Sequence, residues 1–123
     1  MTEIPNPVTE IPKPPAGVRA PGRRLWLSVV DGFELDEHEL ALLREAARTV
    51  DLLDQLDRRV RDDGPIVSSP QGDRAHPAAV EARQQRIALA RLLASLRLPA
   101  GNEDGRPQRR GAVRGTYRLG VVS

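Results

Sequence analysis

Residues 64–77 constrain this chain more than any other stretch, because Gly-Pro-Ile-Val-Ser-Ser-Pro-Gln-Gly-Asp-Arg-Ala-His-Pro separates two long amphipathic helical patterns. Gly64-Pro65 stops the helix before it, since proline lacks an amide donor and disfavours helix at the preceding residue. Pro77 instead sits where a helix can begin, in a first turn whose amides have no intrahelical partner. Helix, short punctuated insert, helix: that order specifies an antiparallel helical hairpin with a small loop or β-turn at its tip. Ile66–Ser69 can either pair with the residues after Pro70-Gln71-Gly72 as a minimal β-hairpin or remain a loop.

The spacing predicts the first long helix from about Glu37 to Asp63. Asp36 is its N-cap, and Glu39 three residues later completes an acidic variant of the capping box. Leu43, Ala46, Val50, Leu53 and Val60 then recur at three- and four-residue intervals, with Asp57 the one break. The second long helix is predicted from Pro77 to about Leu98, with Val80, Ile87, Ala90, Leu93, Ala94 and Leu96 on or beside one face. Upstream, Leu25, Trp26, Val29 and Val30 share a face of a short helix from Gly22 to about Asp31. A tight corner at 32–35 follows it. Trp26 and Phe33 are the anchors expected to pack against the hairpin.

A 27-residue helix is about 40 Å long, more than an 80-residue body with three aromatic residues can cover alone. The seam Leu43, Ala46, Val50, Leu53, Val60, Ile87, Leu93 and Leu96 is therefore expected to join copies of the chain. The fold class predicted is all-α: a short N-terminal helix packed on a long antiparallel helical hairpin, with flexible N- and C-terminal tails. Six of eleven prolines lie in residues 1–21, which read as an extended arm; 22–100 is the helical oligomerisation core. Residues 101–123, without periodicity, read as a disordered tail. No apolar run suits a signal peptide or a membrane span, so a soluble chain is expected.

Cysteine is absent, which removes disulfides and thiolate metal sites. His38 and His76 have no second ligand at metal-binding spacing and read as helix-end polar contacts. The acids lie on helix surfaces or caps, the glycines after 104 lack a phosphate-loop ending, and no Ser-His-Asp logic is visible. The expectation is a protein without catalytic residues, cofactor or metal.

Charge is more informative. Residues 1–24 carry +2, residues 25–104 hold ten arginines against fifteen acids, and residues 105–123 carry five arginines and no acid. Arg106, Arg109, Arg110, Arg114 and Arg118 suit backbone phosphates, with Tyr117 able to stack on an exposed base. Arg23 and Arg24 could assist. The alternatives for this tail are docking on an acidic protein or a solubilising role. The first two helices could also form a helix-turn-helix, but the second opens with Asp36, Glu37 and Glu39, the wrong sign for approaching phosphates.

Between 22 and 100 the chain runs through Leu25-Trp26, Leu35-Asp36 leading into a helix with Leu43 and Ala46, and Gly64 ending that helix. The Gly72 loop, His76-Pro77-Ala78, Arg83, Leu89-Ala90-Arg91-Leu92-Leu93 and Leu98-Pro99 follow. In this order and spacing the stretch resembles the small subunit of phage terminases, in the short family of phages and prophages of high-GC Gram-positive bacteria. The resemblance implies a non-enzymatic, ring-forming component of the genome-packaging motor in the bacterial host cytoplasm. The implied partners are viral double-stranded DNA, further copies of the chain and the large ATPase/nuclease subunit. The rival readings are a small prophage DNA-binding regulator or antitoxin, and a helical adaptor that binds no nucleic acid.

Overall fold

The computed structural model describes residues 10–99 and the backbone of a two-residue strand at 108–109. Its elements, in order, are α1 (Ala20–Val30), β1 (Phe33–Glu34), α2 (Glu37–Asp63), β2 (Ile66–Ser69), β3 (Gly72–Ala75), α3 (Pro77–Leu96) and β4 (Gln108–Arg109). The chain is mostly helical but not strictly all-α, because β2 and β3 form an antiparallel hairpin and β4 pairs antiparallel with β1.

The termini of α2 follow from its caps. The Asp36 side chain accepts from the Glu39 amide, and Glu39 Oε1 accepts from the Asp36 amide at 2.6 Å, a reciprocal capping box. Gly64 closes the helix with a φ of 85°, a conformation that costs glycine nothing. α3 begins on His76, whose Nδ1 accepts from the Ala78 amide at 2.9 Å, and continues with Pro77 in its first turn. It ends at Leu96, two residues short of the expected Leu98, with Arg97 as its C-cap in the left-handed region.

Between the helices, Ile66–Ser69 pairs with Gly72–Ala75 in the register Ile66↔Ala75 to Ser69↔Gly72. The tip is thus a β-hairpin turning through Pro70-Gln71, with Gly72 at φ 111°. Ser69 Oγ donates to the Gly72 carbonyl across the turn at 2.6 Å, and the His76 amide donates to the Pro65 carbonyl at the base.

α1 runs antiparallel along the first half of α2. Its N-terminus is capped by a neighbour: the buried Asp51 of α2 accepts from the amides of Arg19 and Gly22 through its two carboxyl oxygens, the latter at 2.7 Å. Helix N-termini leave amides without partners and carry partial positive charge, so a carboxylate there serves both needs. The approach is close. A Cβ on Gly22 would collide with the Ala47 carbonyl oxygen and lie 2.8 Å from a Val18 methyl. The buried Ala46 and Ala47 supply the flat surface opposite.

Below this crossing, Trp26, Val29, Val30, Leu43 and Leu96 form a core drawn from all three helices, with Leu25, Phe33, Leu35, Leu40, Leu42 and Leu98 packed around it. Both expected anchors are here. Trp26 is 1% exposed, and its Nε1–H donates to the Pro12 carbonyl at 2.8 Å. Part of the N-terminal arm is therefore seated on the body, with Val18 buried; residues 1–9 lie outside the described residues.

The expected joining seam divides. Leu43, Ala46, Leu53 and Leu96 are buried within the chain itself, and Val50, Val60 and Leu93 are half-buried. Ile87 and Val80 face outward, 44% and 41% exposed, and Ala90 and Ala94 are exposed as well. The physical reason is the close contact of α3 with α2, which takes the small side chains Ala78 and Ala82 inward and turns the larger Val80 and Ile87 away. Asp57, the break in the pattern, faces α3 and accepts two 2.8 Å contacts from Arg86.

Asp51→Ala leaves two amides of α1 unsatisfied and should lower unfolding free energy by about 2 kcal/mol. Gly22→Ala should cost at least as much, because backbone rather than a flexible side chain must move. Denaturant melts of both variants check this, and a loss below about 0.5 kcal/mol in Asp51→Ala would contradict the capping role.

Candidate nucleic-acid interface

The arginines proposed from sequence fall into three groups. Arg23 and Arg24 are both exposed on α1, although Arg23 donates to the Val18 carbonyl at 3.0 Å and is partly held there. Arg109 lies in β4, its Cα opposite Phe33. Arg106, Arg110, Arg114, Tyr117 and Arg118 lie outside the described residues.

The strand at 108–109 departs from a wholly irregular tail. It brings the C-terminal segment to the corner between α1 and α2, next to the three-helix core, with Glu34 opposite Gln108. At the same corner the exposed start of α2 carries Glu37, and Arg44 and Arg48 are engaged with Glu37 and Glu45, so the acidic character that weighs against a groove-reading α2 persists in the fold.

Reading the sequence by net charge missed a further set of cations. α2 holds eight acids against five arginines, and much of that charge is spent internally. Arg44 meets Glu37, Arg48 meets Glu45, Arg58 meets Asp54, Arg59 meets Asp63 and Arg86 meets Asp57. α3 holds one acid, Glu81, against three arginines. Among the described residues, the exposed Arg61, Arg74, Arg83, Arg91 and Arg97 enter none of these ion pairs. The available signal was the partition by helix rather than the sum over 25–104.

A shallow groove of about 430 Å³ runs beside the second half of α2, lined by Leu52, Gln55, Leu56, Arg58, Arg59, Asp62 and Ala78. Leu52 is 38% exposed there. Asp36, His38 and Glu39 place ligand atoms within 4.8 Å of one another. Asp36 and Glu39 are engaged in the capping box, which already accounts for their approach.

His76 is the buried titratable group of the hinge. Its Nδ1 must carry a lone pair to accept from Ala78, so Nε2 carries the hydrogen and donates to Asp63 at 2.8 Å. The imidazole thereby links the last residue of α2 to the first turn of α3. The hydrogen bond from His76, with a second from Arg59, holds the Asp63 carboxyl below the usual carboxylate range.

No family model, no curated protein and no solved structure matches this chain. No helix among the described residues is long and apolar enough to cross a membrane.

A carboxyl with a lowered folded-state pKa contributes stability that is present above its unfolded value and is lost as pH falls through the folded one. Acidification from about pH 5 downward should therefore lower the melting temperature of the natural chain more than that of Asp63→Asn, which keeps the acceptor and cannot titrate. Parallel melts across that range check it; identical pH dependence would show that Asp63 adds nothing to acid sensitivity.

Proposed function

We propose that this chain is a terminase small subunit: a non-catalytic component that assembles with copies of itself, engages viral double-stranded DNA and acts with the large ATPase/nuclease subunit in the host cytoplasm. The observation that carries the reading is the distribution of charge. Five of the eight acids of α2 meet arginines of the same body, whereas five exposed arginines from the end of α2 to the end of α3 enter no ion pair among the described residues. The C-terminal residues 105–123 add five more and no acid. Exposed arginine in excess of acidic partners is the electrostatic footprint of a polyanion ligand.

Self-assembly is supported by what the fold leaves uncovered. With Leu43, Ala46, Leu53 and Leu96 consumed inside the chain, the large apolar residues left exposed among the described residues are Ile11 and Leu27, on the arm and α1, and Leu52, Ile66, Val80 and Ile87, on the hairpin of α2 and α3. The four on the hairpin lie outside the three-helix core, on the half from Leu52 to Ile87. An assembly through this half would leave the base and its C-terminal tail on a separate face.

Affinity for a duplex should fall with salt, and each phosphate contact contributes about 0.9 to the log–log slope. Removing residues 105–123 should therefore reduce the slope by up to about 4.5 per protomer. Fluorescence anisotropy across a salt series, with light scattering on the same samples, checks both halves of the proposal. An unchanged slope in the truncated chain removes the tail from the interface, and a monomer at all concentrations removes the assembly. A stable dimer protecting a promoter would favour a prophage regulator. Absence of any duplex shift at low salt would favour an adaptor.

A further inference from the structure

We infer that the corner between α1 and α2 is a docking surface for the chain's own arginine-rich tail, a bound state that a polyanion has to displace. The seated segment is visible as β4, whose backbone pairs antiparallel with β1 in the register Phe33↔Arg109 and Glu34↔Gln108. This regulation rests on the polyanion-binding reading of the tail, whereas the docking itself does not.

The chemistry of the two sides is complementary. Within residues 31–39 stand Asp31, Glu34, Asp36, Glu37 and Glu39, with no arginine or lysine. Asp36 and Glu39 direct their carboxyl groups to backbone amides, and Glu37 meets Arg44 at 3.2 Å. α1 ends here with no basic residue in its last turn, so the partial negative charge of its C-terminus adds to that of Asp31. Arg109 is part of the paired strand, and Arg106 and Arg110 lie two and one residues from that strand in sequence. Two residues of ladder are too short to hold a tail by hydrogen bonds alone, so opposite charge is the expected second source of affinity.

Such a contact biases the tail in two ways. It fixes its starting point at the base of the fold, and it makes phosphates compete with carboxylates for the same guanidinium groups. Because both contests are electrostatic, both weaken with salt.

The chain contains no cysteine, so a designed disulfide can report the docking in the full-length protein. Residues opposite one another in an antiparallel ladder have Cα atoms about 4.5–5.5 Å apart, within disulfide reach. Glu34→Cys with Gln108→Cys should form an intramolecular disulfide in a glutathione buffer with an effective concentration about tenfold above that of a control pair, Glu34→Cys with Ser123→Cys. Added salt and Asp31→Asn should each lower that excess. Once oxidised, the variant carrying Glu34→Cys and Gln108→Cys should bind a 30-base-pair duplex at least about fivefold more weakly than the same variant reduced. Equal effective concentrations in the two pairs would overturn the docking, and equal duplex affinity in the oxidised and reduced forms would overturn the displacement. If the natural chain binds no duplex at low salt, the terminase reading and the displacement both fail, while the disulfide equilibrium still decides whether the tail docks.

Discussion

The buried carboxyl of Asp51 is the interaction on which the base of this fold depends. It takes two amides of α1 that no side chain of α1 itself satisfies. It also sets the position of Gly22 against Ala47, where a methyl group has no room. From that fixed point α1 descends along α2 and delivers Trp26, Val29 and Val30 to Leu43 and Leu96. A polar cap thus positions an apolar cluster.

The consequence is a body of two unequal halves. Near the base, three helices enclose a core sealed by the Trp26 hydrogen bond to Pro12. Toward the tip there are two helices only, with Leu53, Ala78 and Ala82 buried and Asp57 paired with Arg86. His76 closes this half by joining Asp63 to the start of α3. Strength of packing and availability of surface run in opposite directions along one hairpin.

Residues whose role is local were legible in the sequence. Asp36 with Glu39, Gly64-Pro65 and His76-Pro77 mark the limits of α2 and the start of α3, because caps and proline act within one turn of chain. The face of α3 was legible in part: Leu96 is buried and Leu93 half-buried, whereas Val80 and Ile87 are exposed. Hydrophobic periodicity rewards large side chains, and this contact buries Ala78 and Ala82 while leaving Val80 and Ile87 outside. Asp51 gave no warning, since its partners at Arg19 and Gly22 are about thirty residues away in the chain. The arginines of the tail were legible as charge. The pairing of Gln108–Arg109 with Phe33–Glu34 was not, because two residues carry no period and their partner lies at the far end of the helical hairpin in sequence.

The β2–β3 ribbon has a separate meaning. None of its eight residues is buried, and it meets the rest of the body through its base, where His76 bonds the Pro65 carbonyl. What happens at Pro70-Gln71 is therefore insulated from the packing of α1 against α2. Drift in length and composition at that turn is tolerable to the fold, which makes this apex the place where related chains can diversify, and where an epitope or fluorophore can be grafted, without disturbing the framework beneath.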